Sequence, residues 1–308
     1  MTTATKTLKT AIGGYGHHAA LKDGSISPEG ASLEQVEVTP IINAFRRMCR
    51  ELEFDVCEMA ITTYLTAKRY GLPFTAIPVF PVRAFHHGAA MGNTKAGVSG
   101  PKDLEGKKAG VRAYTVTTGV WSRGILQNEY GVDLTKVNWI LADEEHVDAF
   151  HKDAPSYATY QLGAKLADMF TEGELAGGIG LGRFESPDIK PLIPGAAAAG
   201  AEWYKKTGIY PINHMIVVKD ELLDANPGLA ASLFQAFKAS KEKWLASATD
   251  DDKKAAGHNI VEGDPFPYGI EANRPALNEI IKYARQQQIL TSDIKPEDVF
   301  AKGSTSLS

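Results

Sequence analysis

Short apolar runs alternate with amphipathic stretches along the whole chain, and the period switches repeatedly between that of a strand and that of a helix. Residues 6–12 (KTLKTAI) predict a first strand, ended by Gly13 and Gly14. Residues 36–38 predict a second, short one. Over 41–52 the apolar positions Ile42, Phe45, Met48, Cys49 and Leu52 recur at helical spacing, with Arg46, Arg47 and Arg50 on the wet face. FDVCEMA (54–60) predicts a buried strand, and 61–70 a helix stopped by Gly71 and Pro73. FTAIPVFPV (74–82) predicts an extended segment that Pro78 and Pro81 bar from a fully paired central position. The rhythm then repeats: strand 108–112, helix 116–130, strand 137–141, helix 162–170, and a Gly-rich strand-to-loop passage over 173–182. NHMIVVK (213–219) predicts a strong strand. A long helix over 222–246 is broken near Pro227, and a last helix covers 275–288.

This alternation predicts an α/β protein with mainly parallel sheets. A linker near 93–101 and a change of character near 207–213 cut the chain into three parts. The expected arrangement joins residues 1–95 and 211–308 in one lobe and leaves 96–210 as the other. The length of 308 residues is ample for a core without metal or disulfide staples. Lys and Arg number 33 against 37 Asp and Glu, a formal charge of −4. With no basic footprint, neither nucleic acid nor an anionic membrane is expected as a partner. Cys49 and Cys57 are too few for a disulfide framework. The opening residues 1–18 lack the apolar core of a secretory leader, and no run approaches the ~18 apolar residues of a membrane span, so the expected location is cytoplasmic. Nothing in the pattern speaks for or against a homo-oligomer.

Several polar residues fall where such folds place ligands. Tyr15, His17 and His18 follow the first strand, at the carboxyl edge where α/β sheets bind. Glu58 follows a buried run, and a carboxylate there needs partners. It can orient a histidine or a substrate hydroxyl, or it can be the first acid of a helix. Arg83, His86 and His87 form the densest polar cluster, inside an apolar, Pro-punctuated stretch. Arg binds carboxylates in bidentate fashion and His transfers protons near neutral pH. If the segment stays extended, Arg83 and His87 project on one face and His86 on the other. Tyr114, Thr117 and Thr118 lie between a strand and a helix, whose free N–H groups welcome an anion; a threonine there can equally be an N-cap. Trp121 reads as core, Arg123 lies on the same helix, and His214 opens an apolar strand. Cys57 reads as a buried, inert thiol. No HExxH, CxxC pair or carboxylate-rich loop argues for a metal, and neither GxSxG nor a phosphate-binding glycine motif is present.

Three segments taken together, FDVCEMAITTYLTAKRYGLPFTAIPVFPVRAFHH, GKKAGVRAYTVTTGVWSRGILQNEYGV and TGIYPINHMIVVKDELL, resemble the 4,5-dihydroxyphthalate decarboxylase family, as does the closing PFPYGIEANRPAL. The likeness runs over about residues 7–300. It implies a two-lobed type II periplasmic-binding-protein-like fold with two interlobe crossings. It also implies a non-oxidative decarboxylase of a hydroxylated aromatic acid. Tyr15 and His17 match the family's first-loop motif, Glu58 its FDxxE position, Arg83 and His87 its RxFRH pattern, Tyr114 and Thr117 its second-lobe loop, Trp121 and Arg123 its WxRG motif, and His214 its PxxH motif. The chain departs from the pattern at His86, where Arg is usual, at His18, where a small hydroxyl residue is common, and at Ala113, where an acid often precedes the tyrosine. One fewer Arg implies one fewer carboxylate contact.

The chemistry such a reaction demands is specific. Loss of CO2 from an aromatic acid leaves an aryl carbanion unless a phenol ortho or para to the carboxylate feeds electron density into the ring and the ring carbon takes a proton first. The expected roles are Arg83, with Arg112 or Arg123, as carboxylate anchor; His87 or His214 as the acid for the ring carbon; and Glu58 with His17 polarising the phenol. Lobe closure is expected to exclude water. No organic cofactor is required. The competing reading is a solute-binding protein of the ABC-importer type, in which Arg83 and the helix start near Thr117 and Thr118 clamp a small anionic or aromatic ligand without reaction.

Overall fold

The computed structural model describes residues 6–256, 260–261 and 263–308. Its eleven strands in chain order are β1 Lys6–Ala11, β2 Ala31–Gln35, β3 Val56–Ala60, β4 Phe74–Arg83, β5 Ala90–Asn93, β6 Lys108–Val111, β7 Asn138–Leu141, β8 Ala158–Tyr160, β9 Gly177–Ile179, β10 Ile189–Pro191 and β11 Ile212–Lys219. They form two sheets, and the chain divides into two compact units. The opening residues 1–5, over which the expected lack of a leader partly extends, lie outside the described residues.

The first unit comprises Met1–Ala84, Ile212–Asn278 and Ile294–Ser308. Its sheet runs β2-β1-β3-β11-β4. β1, β2 and β3 are parallel, while β11 runs antiparallel to both β3 and β4. The carboxyl ends of β1, β3 and β4 therefore share one edge with the start of β11. Leu8, Ile12, Val56, Ile77, Val79, Ile216 and Val218 pack with Leu229, Leu233, Phe234 and Phe237 of the helix Leu229–Ser247 into one buried cluster. β4 takes the sheet edge, as its two prolines dictate. Its pairing with β11 breaks register on both sides of His214, a bulge of the kind that re-aims side chains.

The second unit comprises Phe85–Pro211 and Glu279–Asp293, with a sheet ordered β10-β5-β9-β6-β7-β8. β6, β7, β8 and β9 are parallel; β5 and β10 are antiparallel additions. The helix Thr117–Tyr130 is buried over much of its length, which explains its lack of a polar stripe, and Gly131 ends it at a φ of 66° that favours glycine.

The structure redraws several expectations. The second strand is Ala31–Gln35, not 36–38, because it is these residues that ladder with Lys6 to Thr10 of β1. The first passage between units falls after Ala84 rather than near 95, because β5 pairs with β9 and β10. The passage expected near 211 falls at 211/212. The helix Arg274–Gln286 adds a further excursion, since Glu279–Asp293 clusters with the second unit. Strands β5, β8 and β10 were not predicted; each has three or four residues, too few for a period to register. Residues 196–199, which read as a low-complexity alanine tract, open the helix Ala196–Thr207. No described helix is long and apolar enough to cross a membrane.

Within the second unit, a methyl at Gly124 would overlap the Tyr283 ring. Gly124→Ala is expected to destabilise this unit by about 1–3 kcal/mol through overpacking. A urea midpoint equal to wild type would refute that packing.

Candidate functional site

The densest chemistry of the first unit lies at the carboxyl edge of its sheet. Glu58 sits inside β3, wholly buried, and not at a helix start. Its carboxylate accepts three hydrogen bonds. The Gly13 N–H reaches Oε2 at 2.8 Å, the Tyr15 hydroxyl reaches Oε1 at 2.8 Å, and His214 Nδ1 lies 2.6 Å from the same oxygen. Burial alone would push its pKa up, but the hydrogen bond and charge of His214, helped by His18 and the Gly13 N–H, outweigh that and hold it below the ordinary carboxylate value. Glu58 is therefore ionised at neutral pH and acts as acceptor only. It accepts from His214 Nδ1 and so orients the ring, leaving Nε2 as the nitrogen that Glu58 does not engage. The His214 side chain is 19% exposed, so this nitrogen belongs to a group within reach of a ligand. Tyr15 is pushed far up, first by burial and then by the Glu58 charge, and stays a neutral hydroxyl.

His17 and His18 pack beside this triad. Their rings are 4.6 Å apart, and His17 stacks on Tyr15 and lies against Phe266 and Trp244. His18 Nδ1 pairs with the Gly13 carbonyl at 3.1 Å. Among the described residues, Nε2 of each has no hydrogen-bond partner. Burial is the main cause that takes His17 down to about 3 and His18 to about 4. Both are neutral imidazoles at pH 7, which suits His17 to hydrogen bonding and not to service as a base. Gly16 leaves room for the Trp244 indole, which a Cβ would strike, so the loop after β1 and the helix Leu229–Ser247 meet without a gap.

Arg83 ends β4. It donates to the Asn273 side-chain carbonyl and, at 3.2 Å, to the Pro267 carbonyl, with its guanidinium over the Phe80 ring. Lys241 donates to Asp264 at 2.5 Å and to the Phe266 carbonyl at 2.7 Å. Asn273, Lys241 and Asp264 were missed by sequence reasoning. Only the likeness of the segment PFPYGIEAN pointed toward this region, and it singled out no residue.

The second unit holds the remaining expected residues. The extended segment stops at Arg83, and Ala89 N–H turns back to the His86 carbonyl, so the alternation that would pair Arg83 with His87 does not apply. His86 is buried and stacks on Trp121. His87 is buried against Trp203, with a pKa lowered by burial. It lines a cavity of about 390 Å³ with Glu129, Tyr130, Glu202, Trp203 and Lys206. Arg112 pairs with Asp143 at 2.7 Å. Arg123 is wholly buried. It donates to Gln287 and to the Tyr114 carbonyl and stacks on the Tyr114 ring, an arrangement that supports the helix and leaves no surface for a substrate. The N-cap position of Thr117–Tyr130 is Val116, so neither Thr117 nor Thr118 caps it. Just before it, Glu145, also missed, accepts from the Tyr114 and Thr115 N–H groups and from the Thr115 and Tyr160 hydroxyls. Cys57 is buried with its thiol pKa pushed up by burial. Among the described residues, no group of three or more His, Cys, Asp or Glu side chains is placed to hold a metal ion.

A 4,5-dihydroxyphthalate decarboxylase from Comamonas testosteroni is 27% identical to this chain over 317 residues, covering 95% of this chain and 96% of that protein. One of the same name from Pseudomonas putida is 29% identical over 217 residues, covering 64% of this chain and 81% of its own. No protein-family model matches the chain. Among solved structures, the desulfurization enzyme DSZB aligns with a TM-score of 0.58 at 12% identity, covering 97% of both chains. The Escherichia coli periplasmic aliphatic sulphonate binding protein SsuA aligns with a TM-score of 0.54 at 10% identity, covering 97% of this chain and 99% of its own. At these identities the structural likeness shows the fold alone, the two-lobed α/β fold of periplasmic binding proteins.

The buried histidines give the protein an acid sensitivity whose sign is fixed. Unfolded imidazoles titrate near 6.5, so between that value and about 4 the unfolded chain binds protons that folded His17 and His18 refuse. Stability therefore falls as pH drops through this window, by up to about 1.4 kcal/mol per pH unit for each histidine. Glu58 adds to the loss only below the ordinary carboxylate range. His17→Phe, placed among aromatic neighbours, is expected to flatten the fall between pH 6.5 and 4.5 by up to about half, the remainder coming from His18 and His87. Urea midpoints across that range check it, and a curve parallel to wild type would refute the assignment.

Proposed function

We propose, from its likeness to the two 4,5-dihydroxyphthalate decarboxylases, that this chain removes one carboxyl group without oxidation from a hydroxylated aromatic acid. The observation that carries this reading is the buried Glu58 carboxylate joining Tyr15 and His214 at the carboxyl edge of the first unit's sheet.

The reaction consumes one proton: the ring carbon gains it, the bond to the carboxylate breaks, and CO2 leaves. His214 is the acid for the ring carbon. Protonated on both nitrogens, it is stabilised by Glu58 at Nδ1 and delivers its proton from Nε2. Tyr15 directs its own hydrogen to Glu58, so its oxygen lone pair can accept a hydrogen bond from the substrate phenol. Through its bond with Tyr15, Glu58 makes the Tyr15 oxygen a stronger acceptor, which draws the proton away from the substrate phenol and leaves electron density on the phenol oxygen to feed into the ring. Because its pKa is lowered, it polarises the phenol and does not keep the proton. Arg83 supplies a cation for a substrate carboxylate. The neutral His17 ring flanks Tyr15 and holds its orientation. The scheme uses no organic cofactor.

The fold shared with SsuA favours a second reading, capture of a small anionic or aromatic solute without reaction. The two readings part in one assay. Metal-stripped protein is mixed with 4,5-dihydroxyphthalate and a panel of hydroxybenzoates while CO2 and ring absorbance are followed. The decarboxylase reading expects CO2. Saturable binding without CO2 supports the solute-binding reading instead. With the turned-over substrate, His214→Gln and Glu58→Gln are each expected to cut kcat by about 10²–10⁴-fold, the span of a positioned acid–base group. Turnover at the wild-type rate in folded His214→Gln would remove that residue from the chemistry.

A further inference from the structure

The loop after β1 carries glycine at 13, 14 and 16, and none of the three holds a φ in the left-handed region that would demand glycine. Space sets them apart instead. At Gly14 a Cβ would meet nothing within 4 Å. At Gly13 it would lie 2.5 Å from Cε2 and Cζ of Tyr15 and 2.7 Å from its hydroxyl oxygen. The end of the Tyr15 ring therefore fills the volume that a side chain at 13 would need.

The Gly13 backbone is in no position to yield. Its N–H donates to Glu58 Oε2 at 2.8 Å, and its carbonyl pairs with His18 Nδ1 at 3.1 Å. The Tyr15 hydroxyl reaches the other oxygen of the same carboxylate, Oε1, at 2.8 Å. On its own side the Tyr15 ring stacks on His17, with centroids 5.2 Å apart and planes 16° from parallel. A methyl group at 13 thus meets a fixed backbone and the free end of a side chain, and it is the ring that must move. Restoring an ordinary carbon–carbon contact takes a shift of about 1 Å. A shift of that size carries a 2.8 Å hydrogen bond to the limit of its range.

We infer that Gly13 is a positioning residue for recognition of the substrate phenol: its missing side chain lets the Tyr15 hydroxyl rest on Glu58, with the oxygen lone pair left to accept from the phenol. This rests on the proposed function in taking Tyr15 as that acceptor. Alanine at 13 keeps the N–H donated to Glu58, so the substitution separates the placement of Tyr15 from the solvation of the carboxylate.

The test uses the full-length chain with Gly13→Ala, Tyr15→Phe, the two combined, and Gly14→Ala as the control with open space. Turnover is measured on the hydroxylated acid that wild type decarboxylates and on halogenated analogues whose phenols ionise progressively more readily. On the parent acid, Gly13→Ala and Tyr15→Phe are each expected to lower kcat about tenfold or more and to agree within about threefold. Gly14→Ala is expected to match wild type. The loss in Gly13→Ala should shrink as the phenol becomes more acidic, because a substrate that arrives ionised has no phenol proton to give up. A general packing defect would slow every analogue equally. Gly13→Ala added to Tyr15→Phe should cost no more than about twofold further, because both act through one hydroxyl. A crystal structure of Gly13→Ala is expected to place that hydroxyl beyond about 3.5 Å from Glu58.

Wild-type kcat in Gly13→Ala, a loss constant across the analogues, a further large fall in the double variant, or an intact Tyr15–Glu58 bond would each overturn the inference. If Gly13→Ala melts too low for assay, combining it with Tyr15→Leu, which withdraws the ring, is expected to restore the melting temperature to that of Tyr15→Leu alone, and failure to do so would overturn it as well. CO2 release by wild type with kcat indifferent to Gly13→Ala would sink the inference and leave the decarboxylase reading standing. Absence of CO2 from every hydroxylated acid would sink that reading instead, and calorimetry then decides the inference. In that case 4,5-dihydroxyphthalate is an unreactive ligand, and Gly13→Ala is expected to weaken it about fivefold or more relative to phthalate, which has no phenol. Equal losses on the two acids, or no binding of either to wild type, would overturn the inference.

Discussion

A carboxylate with no exposure to water is the constraint around which the first unit is arranged. Glu58 lies on a strand whose neighbours on the same face, Val56 and the paired Ile216, are core. An ionised group in that setting costs several kcal/mol unless donors replace the lost water. Three do, and they come from three places in the sequence: the Gly13 backbone, the Tyr15 hydroxyl and the His214 ring. β1, β3 and β11 must be adjacent for this to happen, so sheet order and side-chain chemistry specify each other. The bulge that displaces β4 against β11 flanks His214, which, like Tyr15, remains partly open to solvent.

Legibility in the sequence followed the length scale of the signal. Long elements with a sustained period, such as Ile42–Glu51, Thr117–Tyr130 and Leu229–Ser247, were readable to within a residue or two at most ends. The three- and four-residue strands of the second unit were not, because their pairing is decided by partners far along the chain. The same division applies to the site. Tyr15, Glu58 and His214 were each visible as polar residues in apolar surroundings, but nothing local says that one carboxylate gathers the other two. Arg83 was visible, yet Asn273 was not, because an asparagine in a loop looks like any turn residue until its two carbonyl acceptors are known. Glu145 was overlooked for the same reason. The alternation argument that linked Arg83 to His87 failed because it assumed a strand continuing past residue 83, where the backbone turns instead.

The two units solve the problem of buried charge differently. In the first, the partners of Glu58 include titratable side chains, so the carboxylate is part of a chain along which protons can shift. In the second, Glu145 is held by backbone amides and hydroxyls, and Arg123 by amide and carbonyl oxygens and aromatic faces. The amides and carbonyls among those partners do not titrate. The first arrangement suits chemistry and the second suits rigidity, which fits Arg123 beneath the helix as a brace and not as a ligand contact.

Glu145 also bears on what kinds of guest this fold can admit. The amides of Tyr114 and Thr115, leading into the helix Thr117–Tyr130, would form a natural cradle for a tetrahedral oxyanion in a chain that lacked an acid nearby. Here a resident side chain already occupies them. A sulfonate or phosphate could take those amides only by displacing a tethered carboxylate present at high effective concentration.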